Sequence, residues 1–422
     1  MRRVISTLIV LVLALVMTTS LMATGGSEMA EGEITLDFPT FWVGQDSKSG
    51  PIASLLETFN AMHEGEIRVL IEPNPSTDGY RDKLNTQLAS GRAPDLFVFA
   101  PDPTTFQYYE TDILMDFTDD LAGSWGDVFS GGQIAGATRN GRTKSVPYEV
   151  SIIPIWYNSD LFDQAGIDSF PVDLAEFQVA ATALKDAGIV PTSQMTGGSN
   201  AWTSMLWFSH AAASLGGPGV WDLPLSDPIF TQAAEVLRSM YLDGNTTRDA
   251  VGGDAGVSGG HYMAGDTAMF INGPWYIGRI RGDAPEVHAA TMLASIPQVG
   301  EYSGHQLGGP LSNLGAANTT SAARRDAVVT WMQFMTEPAN VRMMSESSGA
   351  LFGIKYELGA DADPLQQEFV RVASEASFLV DHFASAYTVD VVAEFGQALA
   401  EMALGEFTPQ EFIQALIDKD NE

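Results

Sequence analysis

Short apolar runs alternate with longer amphipathic stretches along most of this chain. Residues 34–38 (ITLDF) alternate apolar and polar side chains, the period of a half-buried strand. A polar loop at 39–51 follows, and then Ile52, Leu55, Leu56, Phe59 and Met62 recur at helical spacing. Residues 67–71 (IRVLI) predict a second strand, 80–90 a helix stopped by Gly91, and 95–100 (DLFVFA) a fully buried strand. Strand and helix in turn predict an α/β lobe with a parallel sheet. The pattern resumes after Val146-Pro147-Tyr148-Glu149. A strand is predicted at 152–157, a short helix at 159–166 with a glycine stop, and helices at 174–187, 201–215 and 230–242. A strand at 267–271 and helices at 324–335, 338–345 and 389–404 complete the reading. A last helix opens on Thr408-Pro409-Gln410-Glu411, with Thr408 as N-cap, Pro409 in the first turn and Glu411 three residues after the cap. Two α/β lobes joined by short crossings leave a cleft at the strand ends.

Composition sharpens this picture at the N-terminus and at the surface. With 422 residues, 45% hydrophobic and 18% charged, the chain can bury the cores of two or three lobes. Its 41 glycines and 21 prolines are spread out, and no fixed-period repeat is present. Arg2-Arg3, an apolar run from Val4 to Val16 and small residues up to Ala23 follow the order of a secretory signal. The run of about 13 residues is too short to span a bilayer. Residues 1–23 are therefore expected to be removed, 24–33 to form a flexible leader, and the protein to be exported to the periplasm or outside. The chain contains no cysteine, so disulfides and thiolate sites are excluded, and the protein is expected not to be lipid-anchored. A net charge of −32 repels phosphate backbones and anionic headgroups, so no nucleic-acid partner is expected. The six histidines show no paired spacing, and neither a hydrolase elbow nor a phosphate-binding loop occurs; no metal and no cofactor are expected.

Four segments then carry a resemblance. They are Gly91-Arg-Ala-Pro-Asp-Leu-Phe97; Val146-Pro-Tyr148 with Trp156-Tyr-Asn-Ser-Asp-Leu-Phe-Asp-Gln-Ala-Gly166; Tyr262-Met-Ala-Gly-Asp-Thr-Ala-Met-Phe-Ile-Asn-Gly-Pro-Trp275; and Ser348-Gly-Ala-Leu-Phe352. In this order they resemble the extracellular solute-binding proteins that feed ABC importers, in the sugar-binding branch that includes maltose-binding protein. The likeness runs from about residue 34 to the end. It departs at Asp266, where a basic residue is usual, and in the absent lipidation cysteine. It implies a two-lobe periplasmic-binding-protein fold, type II-like, with a hinged cleft and a helical C-terminal part. The first lobe would hold 34–147 and 297–350 and the second 152–293 and 352–422, with crossings at 148–151, 294–296 and 351. It also implies a monomer that is not an enzyme, with a carbohydrate ligand and the transmembrane subunits of an ABC permease as partners.

A sugar site needs aromatic platforms for flat apolar ring faces and forked polar groups for hydroxyls. Trp275 follows the apolar burst 268–271. Pro274 fixes φ and Gly273 is read as allowing a tight bend that stands the indole at the strand end. In the family the matching tryptophan stacks on ligand; packing under the turn is the plainer alternative. Trp42, Gln45 and Asp46 lie in the loop after the first strand, at a cleft edge or in a solvated loop. Asp102 matches a ligand-facing acid of the family, whereas Asp95 after Pro94 reads as a holder of backbone amides. Glu149, in the first crossing, faces either ligand or a hinge hydrogen bond. Asn200 and Trp202 open an aromatic-rich helix in which Trp207 and Phe208 read as core. Gly308, next to Gly309, lets backbone come close to another group. Asp381 and Tyr387 stand where the family often adds an acid and an aromatic. Two other readings stay open: a secreted glycoside hydrolase, which needs two carboxylates across a cleft, and the same fold binding a polyol or glycerol phosphate.

Overall fold

The computed structural model describes residues 32–198 and 201–422. The expected signal (1–23), most of the leader (24–33) and Asn200 lie outside the described residues. Strand β1 (Ile34–Thr40) buries Leu36 and Phe38 and leaves Asp37 exposed, as its alternation requires. Helix α1 (Ser49–Met62) seats Ile52, Leu55 and Phe59 in the same core. Strand β2 (Ile67–Pro73) pairs parallel to β1, with Ile34 opposite Ile67. Ser76 caps α2 (Thr77–Ala89), its Oγ accepting from Gly79 N at 3.1 Å, and β3 (Leu96–Phe99) is buried throughout. Asp95 accepts from Asp37 N at 3.0 Å and pairs with Arg324, so it ties strands to a later helix.

A small hairpin, β4 (Thr138–Arg139) with β5 (Arg142–Thr143), leads into the long strand β6 (Val146–Ile153). Val146 and Tyr148 of β6 lie in the first-lobe core with Phe38 and Trp331, and Ile153 lies in the second. The second lobe contains β7 (Ile155–Asn158), α3 (Leu174–Asp186), β8 (Val190–Thr192), α4 (Trp202–Gly216), α5 (Pro228–Leu242), β9 (Thr267–Ile271) and β10 (Thr291–Ala294). Its strands form one sheet in the order β10-β7-β9-β8. Strand β11 (Gln306–Ala316) then runs antiparallel to β6, with Leu307 opposite Ile153 and Leu314 opposite Val146. Helices α6 (Ala322–Met335) and α7 (Pro338–Ser348) return to the first core, and β12 (Leu351–Phe352) pairs with the other edge of β6. Helix α8 (Pro364–Glu375), β13 (Leu379–Val380), α9 (Val389–Leu404) and α10 (Pro409–Asp420) end the chain on the second lobe. The α10 capping box forms as its spacing predicts: Thr408 Oγ1 accepts from Glu411 N at 3.2 Å, and Glu411 Oε2 accepts from Thr408 N at 2.8 Å. Trp207 and Phe208 are core, as expected. Each fully buried large apolar side chain adds about 1.5–3 kcal/mol, so two such cores stand without disulfides.

Two expectations need correction. The sheets are mixed: β6–β11, β3–β11, β7–β9 and β7–β10 are antiparallel, and β6 carries the chain from the first core to the second while β11 carries it back. The lobe limits also shift. Residues 297–305, expected in the first lobe, pack on α4, where Ser214 Oγ accepts from Val299 N and Gly300 N at 3.0 Å. The chain changes core inside β11, whose register slips at Pro310, Ser312 and Asn313. Phe352 and Ile354 stay with the first core, Phe352 lying 4.8 Å from the Tyr148 ring, so the last crossing comes after 351. Two of the crossings, in β6 and β11, are buried strands that no break in polarity marks, and the third follows Ile354 through a segment without regular structure.

Candidate functional site

Strand β9 delivers the chain to the junction of the lobes. Asn272 follows the fully buried Ile271 and is itself 8% exposed. Its Oδ1 accepts from Trp202 Nε1 at 3.2 Å and from Gly273 N at 2.9 Å, and its carbonyl accepts from Trp156 Nε1 at 2.8 Å. Gly273 has φ −94°, so the turn does not use left-handed freedom. Glycine is required for another reason: the indole of Trp275 lies over it, and a Cβ there would overlap the ring. Trp275 sits in the turn Pro274–Tyr276, half-buried, and touches the apolar cores of both lobes and the smaller cluster around Trp156 and Phe270. Its carbonyl accepts from Ser47 Oγ of the first lobe at 2.7 Å.

Trp202 is the first residue of α4, and Ala201 before it is left-handed, at φ 45° and ψ 46°. That conformation costs a residue with a Cβ about 1–2 kcal/mol, and strain of this kind gathers at functional geometry. The Trp202 and Trp275 rings lie 6.1 Å apart with planes inclined by 51°, and His382 sets its ring against Trp202 at 5.0 Å and 79°. Burial pushes the His382 imidazole down to about 4, with Arg81 of α2 adding to the effect, so the ring is neutral near pH 7. The three rings form an uncharged aromatic corner.

The first-lobe wall is charged. Asp46 Oδ1 accepts from Lys48 N at 2.8 Å and lies 3.7 Å from Lys48 Nζ. Lys48, which is buried, reaches Glu149 Oε1 at 3.3 Å, and Ser312 Oγ donates to Glu149 Oε2 at 3.2 Å. Burial alone would lower the Lys48 ammonium, but Asp46 and Glu149 outweigh it and hold it above its ordinary value. Two carboxylates share this one cation. Burial raises the Glu149 carboxyl, Lys48 opposes the rise and Asp46 adds to it, and the net shift is upward. Gln45 is exposed beside this cluster. Trp42 is fully buried in the first core, among Phe38, Phe41 and Tyr148 at ring distances of 6.3, 6.1 and 5.7 Å.

Further along the gap, Asp102 caps the helical turn Pro103–Phe106, its Oδ1 accepting from Thr105 N at 2.8 Å. Burial raises its carboxyl, and the Thr105 bonds and Arg81 oppose the rise. Thr104 Oγ1 accepts from Val389 N, the first amide of α9, at 3.0 Å, a bond that joins the lobes. Gly308 is explained by strand packing, since a Cβ there would press on Ile152 and the Ser151 carbonyl. The close approach belongs to its neighbour Gly309, where a Cβ would overlap Asp381 Oδ1. Asp381 is exposed, yet the protein groups near it push its carboxyl upward, with Arg139 opposing. Arg139 lies 3.8 Å over the Phe106 ring and donates to the carbonyls of Gly136 and Thr138 at 2.8 Å. Tyr387 stacks on Phe383 at 4.5 Å and stands edge-on to Trp221 at 6.1 Å; burial pushes its phenol up to about 12.

Of the residues singled out from sequence, the structure brings Trp202 and Trp275 together in one group and Asp46 and Glu149, around Lys48, in another. Asp102 and Asp381 flank them, Trp42 is core, and Gly308 and Tyr387 are accounted for by packing. Sequence reasoning passed over Lys48, Asn272, His382, Arg81 and Arg139. Asn272 alone had a signal, standing inside the quoted motif. A separate cavity of about 340 Å³, floored by Phe177, Leu215, Val236 and Met240, lies on the back of the second lobe and holds none of these residues. Among the described residues no three His, Cys, Asp or Glu groups could hold a metal ion, and no helix is long and apolar enough to cross a membrane.

Comparison with known proteins agrees with this architecture. Over 265 residues the chain is 26% identical to binding proteins of Brucella abortus and Brucella suis, covering 60% of this chain and 61% of theirs; it thus spans about three fifths of the length of the curated relatives it matches. In fold it is similar to a chitin oligosaccharide binding protein, at TM-score 0.85 and 19% identity over 92% of this chain and 98% of that one. It is similar also to maltose-bound MalE3 of T. maritima, at 0.76 and 18% over 92% and 99%, and to RafE in complex with raffinose, at 0.73 and 19% over 92% and 99%. These likenesses show a two-lobe periplasmic-binding-protein fold. The model of the family described as bacterial extracellular solute-binding protein matches residues 45–342, and the chain belongs to that family of substrate-binding proteins.

Proposed function

We propose that this protein is the exported receptor of an ABC sugar importer, which takes an uncharged mono- or oligosaccharide between its lobes and delivers it to the permease. One observation carries the reading: the uncharged corner of Trp202, Trp275 and His382, in which Trp275 touches the cores of both lobes and its carbonyl accepts from Ser47 of the first. Indole faces take the apolar face of a sugar ring, and carboxylates take its hydroxyls. Gln45, Asp46, Asp102, Glu149 and Asp381 are the polar candidates, with Asn200, two positions before Trp202 in the sequence. Bound sugar would favour the closed arrangement, which the Ser47–Trp275 and Thr104–Val389 bonds support. Hinge motion would take place in β6, β11 and the segment after β12. A phosphorylated ligand fits less well, because Asp102 and Asp381 bring negative charge to the gap. The test is a thermal-shift and tryptophan-fluorescence screen with a chitin oligosaccharide, maltose and raffinose, beside a hydrolysis assay on the same sugars. A stabilising sugar that is left uncleaved supports the reading; cleavage would replace it with the glycoside hydrolase.

A further inference from the structure

We infer that Asn272 is the positioning residue of the aromatic corner, its side-chain oxygen aiming Trp202 and, through the Gly273 turn, Trp275. Two N–H groups from different elements converge on this one oxygen: the Trp202 indole of α4 at 3.2 Å and the Gly273 amide at 2.9 Å. Both partners can only donate, so the amide is oriented with its oxygen toward them and its nitrogen away. Trp202 needs such an anchor. It is a half-buried first residue of a helix, behind a left-handed Ala201; its ring meets His382 edge-on and Trp275 at a tilt, contacts that lack the direction a hydrogen bond supplies. Trp275 is fixed indirectly. Its ring lies over Gly273, so the peptide held by Asn272 Oδ1 is the floor beneath that ring. A second indole supplies a control built into the same residue, because Trp156 Nε1 donates to the Asn272 main-chain carbonyl, which no side-chain substitution removes.

The consequence for binding rests on the sugar-platform reading above; the positioning itself does not. The experiment follows the indole N–H signals of the eight tryptophans in the full chain by NMR, with Trp202 and Trp156 assigned through W202F and W156F. In Asn272→Ala the Trp202 indole proton is expected to exchange with solvent at least ~10-fold faster, while that of Trp156 keeps its rate. Asn272→Asp restores an acceptor and returns slow exchange. Affinity for whichever of a chitin oligosaccharide, maltose or raffinose binds falls roughly 3–10-fold in Asn272→Ala and by a similar factor in W202F, which keeps an aromatic ring and removes the donor. The double variant loses no more than the larger single loss, since Asn272→Ala already deletes the Trp202 bond that W202F removes. Unchanged Trp202 exchange in a folded Asn272→Ala protein overturns the inference, as do additive losses. Should Asn272→Ala not fold, a Trp202 indole proton that exchanges in the parent as fast as a solvent-exposed indole overturns it. If Trp275→Ala binds every sugar of the panel as tightly as the parent, the sugar reading fails while the exchange result still decides the role of Asn272.

Discussion

On the second-lobe side of the gap, Trp202 and His382 meet edge to face, with their polar atoms spent on Asn272 and Ser385. On the first-lobe side, Asp46, Lys48, Glu149 and Asp102 bring charge that is already paired or capping. The difference follows from what each material tolerates. An aromatic face needs no partner, so it can stand half-open toward a ligand at little cost. A buried charge left unpaired costs several kcal/mol, so the first wall is satisfied internally, and a ligand would meet only lone pairs left over. Under the proposed sugar reading, the aromatic side would supply most of the affinity and the charged side orientation and stability.

Acid should separate the walls most strongly. Burial lowers His210 to about 3 and His305 and His382 to about 4, all on second-lobe elements. Their unfolded values lie near 6.5, so the unfolded chain binds the extra protons between about pH 6.5 and 4, and stability falls as pH drops through that window. Each histidine contributes up to about 1.4 kcal/mol per pH unit. Glu149 and Asp102, with raised values, bind protons more readily when folded and work in the opposite sense. Hydrogen exchange measured from pH 7 to 4.5 is expected to lose protection in α4 before α1; simultaneous loss would erase the contrast.

Next in size is Lys48→Met, which strands two carboxylates and should lower stability by about 3–5 kcal/mol in denaturant titration. Adding Glu149→Gln should recover most of it. Trp275→Ala should leave the melting curve closer to the parent yet weaken sugar binding by ~10–100-fold, given ~1–3 kcal/mol for a stacked ring; calorimetry checks it. The smallest effect is expected for Thr104→Val, which removes the acceptor for the first amide of α9. It should cost about 0.5–1.5 kcal/mol of closure, read as faster sugar release with little change in association rate.

The elements were legible wherever neighbours in sequence decide them. The strand 267–271, the helix 389–404 and the Thr408–Glu411 box stand where periodicity and caps placed them. The lobe crossings were not legible, because β6 and β11 are buried strands of one sheet and nothing in their composition shows that Leu307 and Leu314 serve different cores. Trp42 read as a cleft residue because a loop tryptophan after a strand looks alike whether it turns in or out; its packing on Tyr148 turned it in. Gly308 was singled out one residue early, since only the position of Asp381 tells which glycine is approached.

By itself the sequence determined the local conformations, the apolar faces that must be buried and the family likeness, because turns, caps and periodicity act between residues a few positions apart. Which side chains meet was decided by tertiary structure alone. Trp202 reaches Asn272 across 70 positions, Lys48 reaches Glu149 across 101 and Thr104 reaches Val389 across 285. No local preference encodes such pairs; they exist because two buried cores bring the ends of distant elements to one gap.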